Sequence, residues 1–431
     1  MARYAMVALL LLACGAANLH AGEPEGRLQR GDYVAVLGDS MPVVYGQAPI
    51  QAQLYSNFIE EYLLMCKPAP NLSLTQFGYP GVTSYNYGHW TMANDLLRFG
   101  PTVGAVWFGT GEAGWAPLTP ELSKSYRDGL KVIVTGMKKG NVRIIVLGTP
   151  SALDPDTTNG GEQKAAQFNE TRAALRDIAR DVAREEAAIF ANIFDLMIDV
   201  TTKGKEKYGK AYTLASDGNL WSIQCNGHLV MAYAFLKALG CDGNIGTIAV
   251  DLAAGKAEAT DGHKVLSAKG GQIEIESSKY PFCFTGDAAR AAALRQVIEF
   301  LPFNDDLNRF RLVVRKIGAD KATVTWGAAS REFTAAQLEK GINLAAEFPD
   351  NPFCEPFAKV EEQIIKQQKL ETVLSNDLMH RLPTYVHHIP AAKETVDQLE
   401  PAIVDKSRKA REAAAAAVIP VTHTIKIVPV K

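Results

Sequence analysis

The sequence predicts an α/β protein built on a mainly parallel sheet with helices on both faces. Three observations lead there. Short apolar runs alternate with helically periodic segments between residues 31 and 240, glycine-bearing turns follow the runs, and after 240 the pattern changes to short period-two segments. Strands that alternate with helices pair in parallel through crossovers, and those crossovers cover the sheet. At 431 residues the chain exceeds one ordinary core, so two or three units are expected.

Taken in order, the chain opens with an export signal at residues 1–21. Arg3 precedes an apolar run at 5–13 with four consecutive leucines, too short to span a bilayer comfortably. Leu19-His20-Ala21 offers a small-residue cleavage site, whereas Leu11-Leu12-Ala13-Cys14 resembles a bacterial lipoprotein box. A periplasmic or extracellular location follows, with membrane contact expected only through a lipidated Cys14. Strands are then expected at 33–37, 72–77, 103–108, 143–147 and 189–194, and helices at 53–65, 90–98, 122–138, 165–188 and 228–239. The run at 103–108 is continuously apolar, as a strand buried on both faces should be.

Beyond 240, strands at 245–252, 263–268, 272–276, 311–315 and 321–326 carry hairpin-like turns at Asp261-Gly262 and Lys269-Gly270-Gly271. They predict a small antiparallel unit interrupted by a helix at 287–299. Helices follow at 357–379 and 391–417, joined around Pro383 and Pro390. Residues 418–430 have strand propensity, with prolines at 420 and 429 that suit an edge or a tail. The expected division is a first domain at 22–240, a β-rich accessory region at 245–350 and a helical extension with a tail at 356–431.

Composition removes several classes of function. A formal net charge of −2, with no basic patch interleaved with aromatics, gives no electrostatic basis for binding nucleic acid. Six cysteines, at 14, 66, 225, 241, 283 and 354, are scattered and form no Cys-x-x-Cys spacing. If Cys14 leaves with the signal, the remaining five include at least one that is unpaired or pairs between chains. Cys225 and Cys241 bracket an expected helix. His380, His387 and His388 lie near a turn without a carboxylate or thiol to complete a ligand set, so no metal or cofactor is expected.

The chemistry centres on Val34-Ala-Val-Leu-Gly-Asp-Ser-Met-Pro42, a buried strand broken by Gly38-Asp39-Ser40. Open parallel sheets place their ligand crevice at the carboxyl ends of strands, so Ser40 stands where a nucleophile would. The other reading is a turn in which Asp39 and Ser40 cap backbone N–H groups. Gly81, the segment Gly109-Thr-Gly-Glu112 and the loop from Asp217 to His228 also follow sheet elements, and all four can converge on one rim.

Together these blocks resemble the SGNH or GDSL family of serine hydrolases, esterases and lipases on a flavodoxin-like three-layer α/β/α fold. The resemblance implies Ser40 as nucleophile and oxyanion donor, Gly81 as a second donor, and Asp217 in the last block. Two positions depart from the family. Its third block reads Gly-x-Asn-Asp, the Asn being an oxyanion donor, where this chain has Gly111. Its last block reads Asp-x-x-His, where this chain has Asp217-Gly-Asn-Leu220 and leucine cannot move a proton. His228, in Cys225-Asn-Gly-His228, is the candidate to fill that vacancy, although a helix N-terminus there opposes its protonated form. Glu112 reads as a solvated rim carboxylate. Segments 302–310 and 332–348 further resemble the extra region of bacterial, planctomycete-type SGNH-like proteins, so the likeness spans about 31–370.

Two functions follow from these residues. Ser40, Gly81 and Asp217 favour an ester hydrolase that acts on a small acylated molecule or acylated carbohydrate through an acyl-enzyme. Gly111 and Leu220 favour a catalytically inactive extracytoplasmic protein, ligand-binding or structural, on the same scaffold.

Overall fold

Strand β1 (Tyr33–Gly38) is buried along its whole length, which requires cover on both faces. It pairs in parallel with β2 (Ser73–Gly78) on one side and β3 (Val103–Trp107) on the other. With β4 (Ile144–Gly148) and β5 (Ile189–Ala191) these strands form an all-parallel sheet of order β2-β1-β3-β4-β5. That is the flavodoxin-like doubly wound order. The computed structural model describes residues 28–43, 54–114, 117–158, 161–215 and 223–430. The export signal with Cys14, and the block with Asp217 and Leu220, lie outside the described residues.

Alternate side chains of each strand feed two helical layers. Val34, Val36 and Trp107 pack against α1 (Tyr55–Glu61), whereas Ala35, Leu37 and Val106 pack against α2 (Pro120–Lys139) and α3 (Gly161–Glu185). The sequence reading carries a strand through to residue 194, but β5 ends at Ala191. Helix α4 (Ile193–Tyr208) begins there instead, because the Thr149 hydroxyl accepts from the amides of Ile193 and Phe194 at 3.0 and 2.8 Å. Asn192 completes the cap on the Asp195 amide. Helix α5 (Cys225–Ala238) returns to the α1 layer and leaves Cys225 and Cys241 free at its opposite ends.

The accessory region departs from the expected antiparallel unit. Strands β6 (Asn244–Asp251), β7 (Lys256–Ala259), β10 (Arg309–Arg315) and β13 (Ile342–Asn343) form a mixed sheet in which β6 and β10 run parallel. The intervening chain, which includes α6 (Ala288–Val297), is long enough for that crossover. Strands β8 (His263–Lys269), β9 (Gln272–Ser277), β11 (Lys321–Trp326), β12 (Ala329–Thr334) and β14 (Val421–Val430) form the other sheet. Here the C-terminal strand, expected at an edge, lies in the middle between β9 and β11. Pro429 is tolerated because pairing with β9 ends at Lys426, so proline sits where one side of the strand is open.

The chain after residue 350 returns to close the first sheet. Helix α7 (Cys354–Thr372) packs along β2, the outermost strand, whose outer backbone groups would otherwise lack partners. Gln367 donates to the Leu74 carbonyl at 3.0 Å, Glu371 accepts from the Gln76 amide at 3.3 Å, and Asn376 donates to the Gly78 carbonyl at 3.0 Å. Gln367 also bridges Glu371 to Glu60 of α1, and Gln368 donates to the other oxygen of Glu60 at 2.7 Å. Arg411 of α8 (Lys393–Ala416) donates to Thr75 and covers the Tyr33 ring at 4.0 Å. One apolar core runs from Val34 through Phe282, Phe310 and Trp326 to Ile425.

Two outcomes follow. A chain ending near residue 240 should fail to fold, as read by circular dichroism and proteolysis, because it lacks every group that satisfies the outer edge of β2. Burial raises the Glu371 carboxyl from an ordinary 4.5 to about 8, more than its hydrogen bonds lower it. A carboxyl with a raised folded pKa takes up a proton on folding, so its contribution is full below pH 4.5 and is lost as pH rises toward 8. Denaturant melts should therefore show stability falling from about pH 4.5 and levelling off above about pH 8, with a shallower fall in Glu371→Gln.

Candidate active site

In register, Gly38 lies level with Gly78 on one side and Trp107 on the other, and Trp107 lies level with Gly148. The loops after β1 to β4 consequently leave the sheet at one rim. The strand order reverses between β1 and β3, which is where an open α/β sheet forms its ligand crevice. Ser40 follows β1 and Gly109-Thr-Gly-Glu112 follows β3, one on each side of that reversal.

Close approach of the loops depends on missing side chains. A Cβ on Gly78 would stand 2.5 Å from the Pro42 ring, so glycine lets the segment after Ser40 fold over the end of β2. The Val43 amide bonds the Ser40 carbonyl at 3.2 Å and closes a turn that leaves the Ser40 side chain half-exposed. Gly81 adopts φ +75°, with nothing within 4 Å of where its Cβ would be, so its backbone is open toward solvent.

Asp39 is buried and acts as the cap that the sequence suggested. Its carboxyl accepts the Met41 amide at 2.9 Å and also the Gly111 amide, which joins the first and third blocks. Burial pushes its pKa up to about 7, with Glu112 adding to the rise and the Met41, Gly111 and Arg172 groups opposing it. Glu112 is no solvated rim residue. It is half-buried, accepts from the amides of Ser84 and Gly109, and so ties the second block to the third. Its pKa is raised by burial against those hydrogen bonds.

His228 lies in the first turn of α5, buried, with Nδ1 accepting the Tyr55 amide at 3.3 Å and its ring stacked on Tyr55. A neutral imidazole that accepts at Nδ1 carries its proton on Nε2, so that nitrogen donates. Burial lowers its pKa to about 3. His380 bonds Asp95 at 2.8 Å and packs on Tyr79 beside the second block. Among the described residues no group of three or more metal-ligating side chains occurs.

Sequence reasoning missed Arg172. Its side chain is fully buried, donates to the Ser151 carbonyl at 2.9 Å, and leaves Nε and Nη2 without partners among the described residues. Its charge faces Asp39. The signal was a cation on the buried stripe of α3 formed by Phe168, Leu175 and Ala179.

No protein-family model matches the chain, and no curated protein matches it. Among solved structures, the chain resembles BT4096, a gut microbial diltiazem-metabolizing enzyme, with a TM-score of 0.67 at 19% identity over 94% of this chain and 98% of that one. A catalytic mutant of Axe2, an acetylxylan esterase from Geobacillus stearothermophilus, matches 50% of this chain and 96% of its own at 17% identity, with a TM-score of 0.39. At this identity the first match establishes a shared fold that includes the accessory sheets and C-terminal helices.

Glu112→Ala should destabilise the protein, because two loop amides lose their acceptor at about 1–3 kcal/mol for each donor left buried and unmet. Denaturant unfolding of the variant against the parent measures this, and an unchanged midpoint would remove Glu112 from the scaffold of the rim.

Proposed function

We propose that this chain is an exported serine ester hydrolase of the SGNH/GDSL type that cleaves carboxylic esters of small molecules or carbohydrates. The observation that carries the reading is the placement of Ser40, half-exposed at the strand-order reversal, on the same rim as the open Gly81 turn. Ser40 Oγ attacks the ester carbonyl, and the N–H groups of Ser40 and Gly81 hold the oxyanion. The Oγ proton passes through solvent to the leaving oxygen, which departs as the alcohol, and water then hydrolyses the acyl-serine to the free acid and restores the Ser40 hydroxyl.

Turnover on this reading is slow. His228 holds its lone pair against Tyr55, Leu220 replaces the family base, and Gly111 offers no side-chain donor. An oxyanion site and binding alone retain roughly 10³–10⁴-fold acceleration over water. Asp217, which lies outside the described residues, is the group that would orient a restored base.

The His228 contact favours a second reading, a non-catalytic protein that binds acylated ligands in the same crevice. Hydrolysis of a short activated acyl ester separates the two. The expected result is weak turnover that Ser40→Ala abolishes and that climbs with pH without the levelling near neutrality that an imidazole base would impose. Parent turnover that survives Ser40→Ala would overturn the hydrolase reading, and no turnover with retained ligand binding would establish the second.

Restoring the family groups should raise the rate. A Cβ at Gly111 would meet the Val82 carbonyl at 3.6 Å and Asp39 Oδ2 at 3.7 Å, ordinary van der Waals contacts, so the backbone there accepts a side chain. Leu220→His with Gly111→Asn is expected to increase kcat/KM by about 10²–10⁴-fold, and Leu220→His to supply the larger share.

A further inference from the structure

Two of the five described cysteines meet. Cys283, buried in the segment between β9 and α6, and Cys354, half-buried as the first residue of α7, are neighbours: both thiols contact Asn351, and each perturbs the ionisation of the other. Asn351 links the same pair, since its side-chain oxygen lies 3.8 Å from Cys283 Sγ and its amide donates to Cys354 Sγ at 3.4 Å. The side chain of Asn351 also bonds the Phe348 carbonyl and the Phe353 amide, both at 3.0 Å, which fixes the turn that presents Cys354.

From this geometry we propose that Cys283 and Cys354 are a disulfide-forming pair, a covalent clasp between the accessory region and the start of α7. The chemistry is asymmetric in the direction that exchange requires. The Cys354 thiol is lowered to about 7, first by its interaction with the Cys283 thiol, with the Asn351 amide adding to the effect. Its place at the start of a 19-residue helix also favours the thiolate. Burial holds the Cys283 thiol well above its ordinary value. The half-buried member, Cys354, therefore attacks and the buried member resolves.

The oxidant is a disulfide, either a small molecule or an exchange protein of the oxidising compartment that an export signal implies. The Cys354 thiolate attacks one sulfur of that disulfide, forms a mixed disulfide and releases one thiolate. Cys283 loses its proton, attacks the Cys354 sulfur and releases the second thiolate. Two cysteine thiols are oxidised and one external disulfide is reduced to two thiols. The closed loop spans 71 residues, the difference between positions 354 and 283, and it anchors the helix that covers the edge of β2.

The test uses the full-length chain equilibrated in a glutathione redox buffer at an oxidising ratio, then quenched, alkylated under denaturing conditions and mapped by peptide mass. The expected result is a 283–354 cross-linked peptide, with positions 66, 225 and 241 fully alkylated. Dithiothreitol should lower the Tm of the parent by several degrees and leave that of Cys354→Ser unchanged. Recovery of Cys283 and Cys354 as separately alkylated thiols, glutathione retained on Cys354 without the cross-link, or an equal response of parent and Cys354→Ser to reductant would each overturn the proposal.

Discussion

The fold depends on how one sheet edge is satisfied. Strand β2 is outermost, so the carbonyls of Leu74 and Gly78 and the amide of Gln76 face away from β1 with no strand to receive them. Helix α7 and the turn after it answer each one with a side chain, Gln367, Asn376 and Glu371. Unmet, buried groups of this kind cost several kcal/mol together, a large share of the net stability of any domain. Placing Glu60 and Glu371 in that seam is costly in itself, and the amides of Gln367 and Gln368 with the Arg411 guanidinium offset the cost. The same seam sets the rim, because Gly78 is both the end of β2 and the residue over which the segment after Ser40 folds.

The parallel sheet was legible because its signals were local. Five apolar runs, the first four each followed by a glycine-bearing turn, locate all five strands of the parallel sheet. The miss at residues 189–194 has a specific cause. Ile193 and Phe194 extend the apolar run, but the hydroxyl that starts α4 comes from Thr149, more than forty residues away in sequence. The position of β14 was hidden for a related reason. Prolines at 420 and 429 argue for an edge, and only the register shows that β9 stops pairing before Pro429.

The candidate site was legible in its blocks and illegible in its joints. Ser40, Gly81 and the Gly109 segment could be placed on one rim from their positions after strands. That Asp39 reaches Gly111, that Glu112 joins the amides of Ser84 and Gly109, and that Arg172 lies buried opposite Asp39 are tertiary facts. So too is the setting of His228, kept neutral by burial against Tyr55, which lies 173 positions away. The result is a rim on which the turn at Ser40 and the contacts of Asp39 and Glu112 are held firmly by groups from distant parts of the chain.

Whether that rim performs acyl chemistry is read most directly at Ser40 itself. The measurement is reaction of the folded full-length protein with a fluorophosphonate, followed by peptide mapping of the adduct. The account predicts slow modification of a single residue, Ser40, blocked by prior unfolding and accelerated in the Leu220→His, Gly111→Asn variant. Modification at another serine, or none at Ser40 in both proteins, would contradict it.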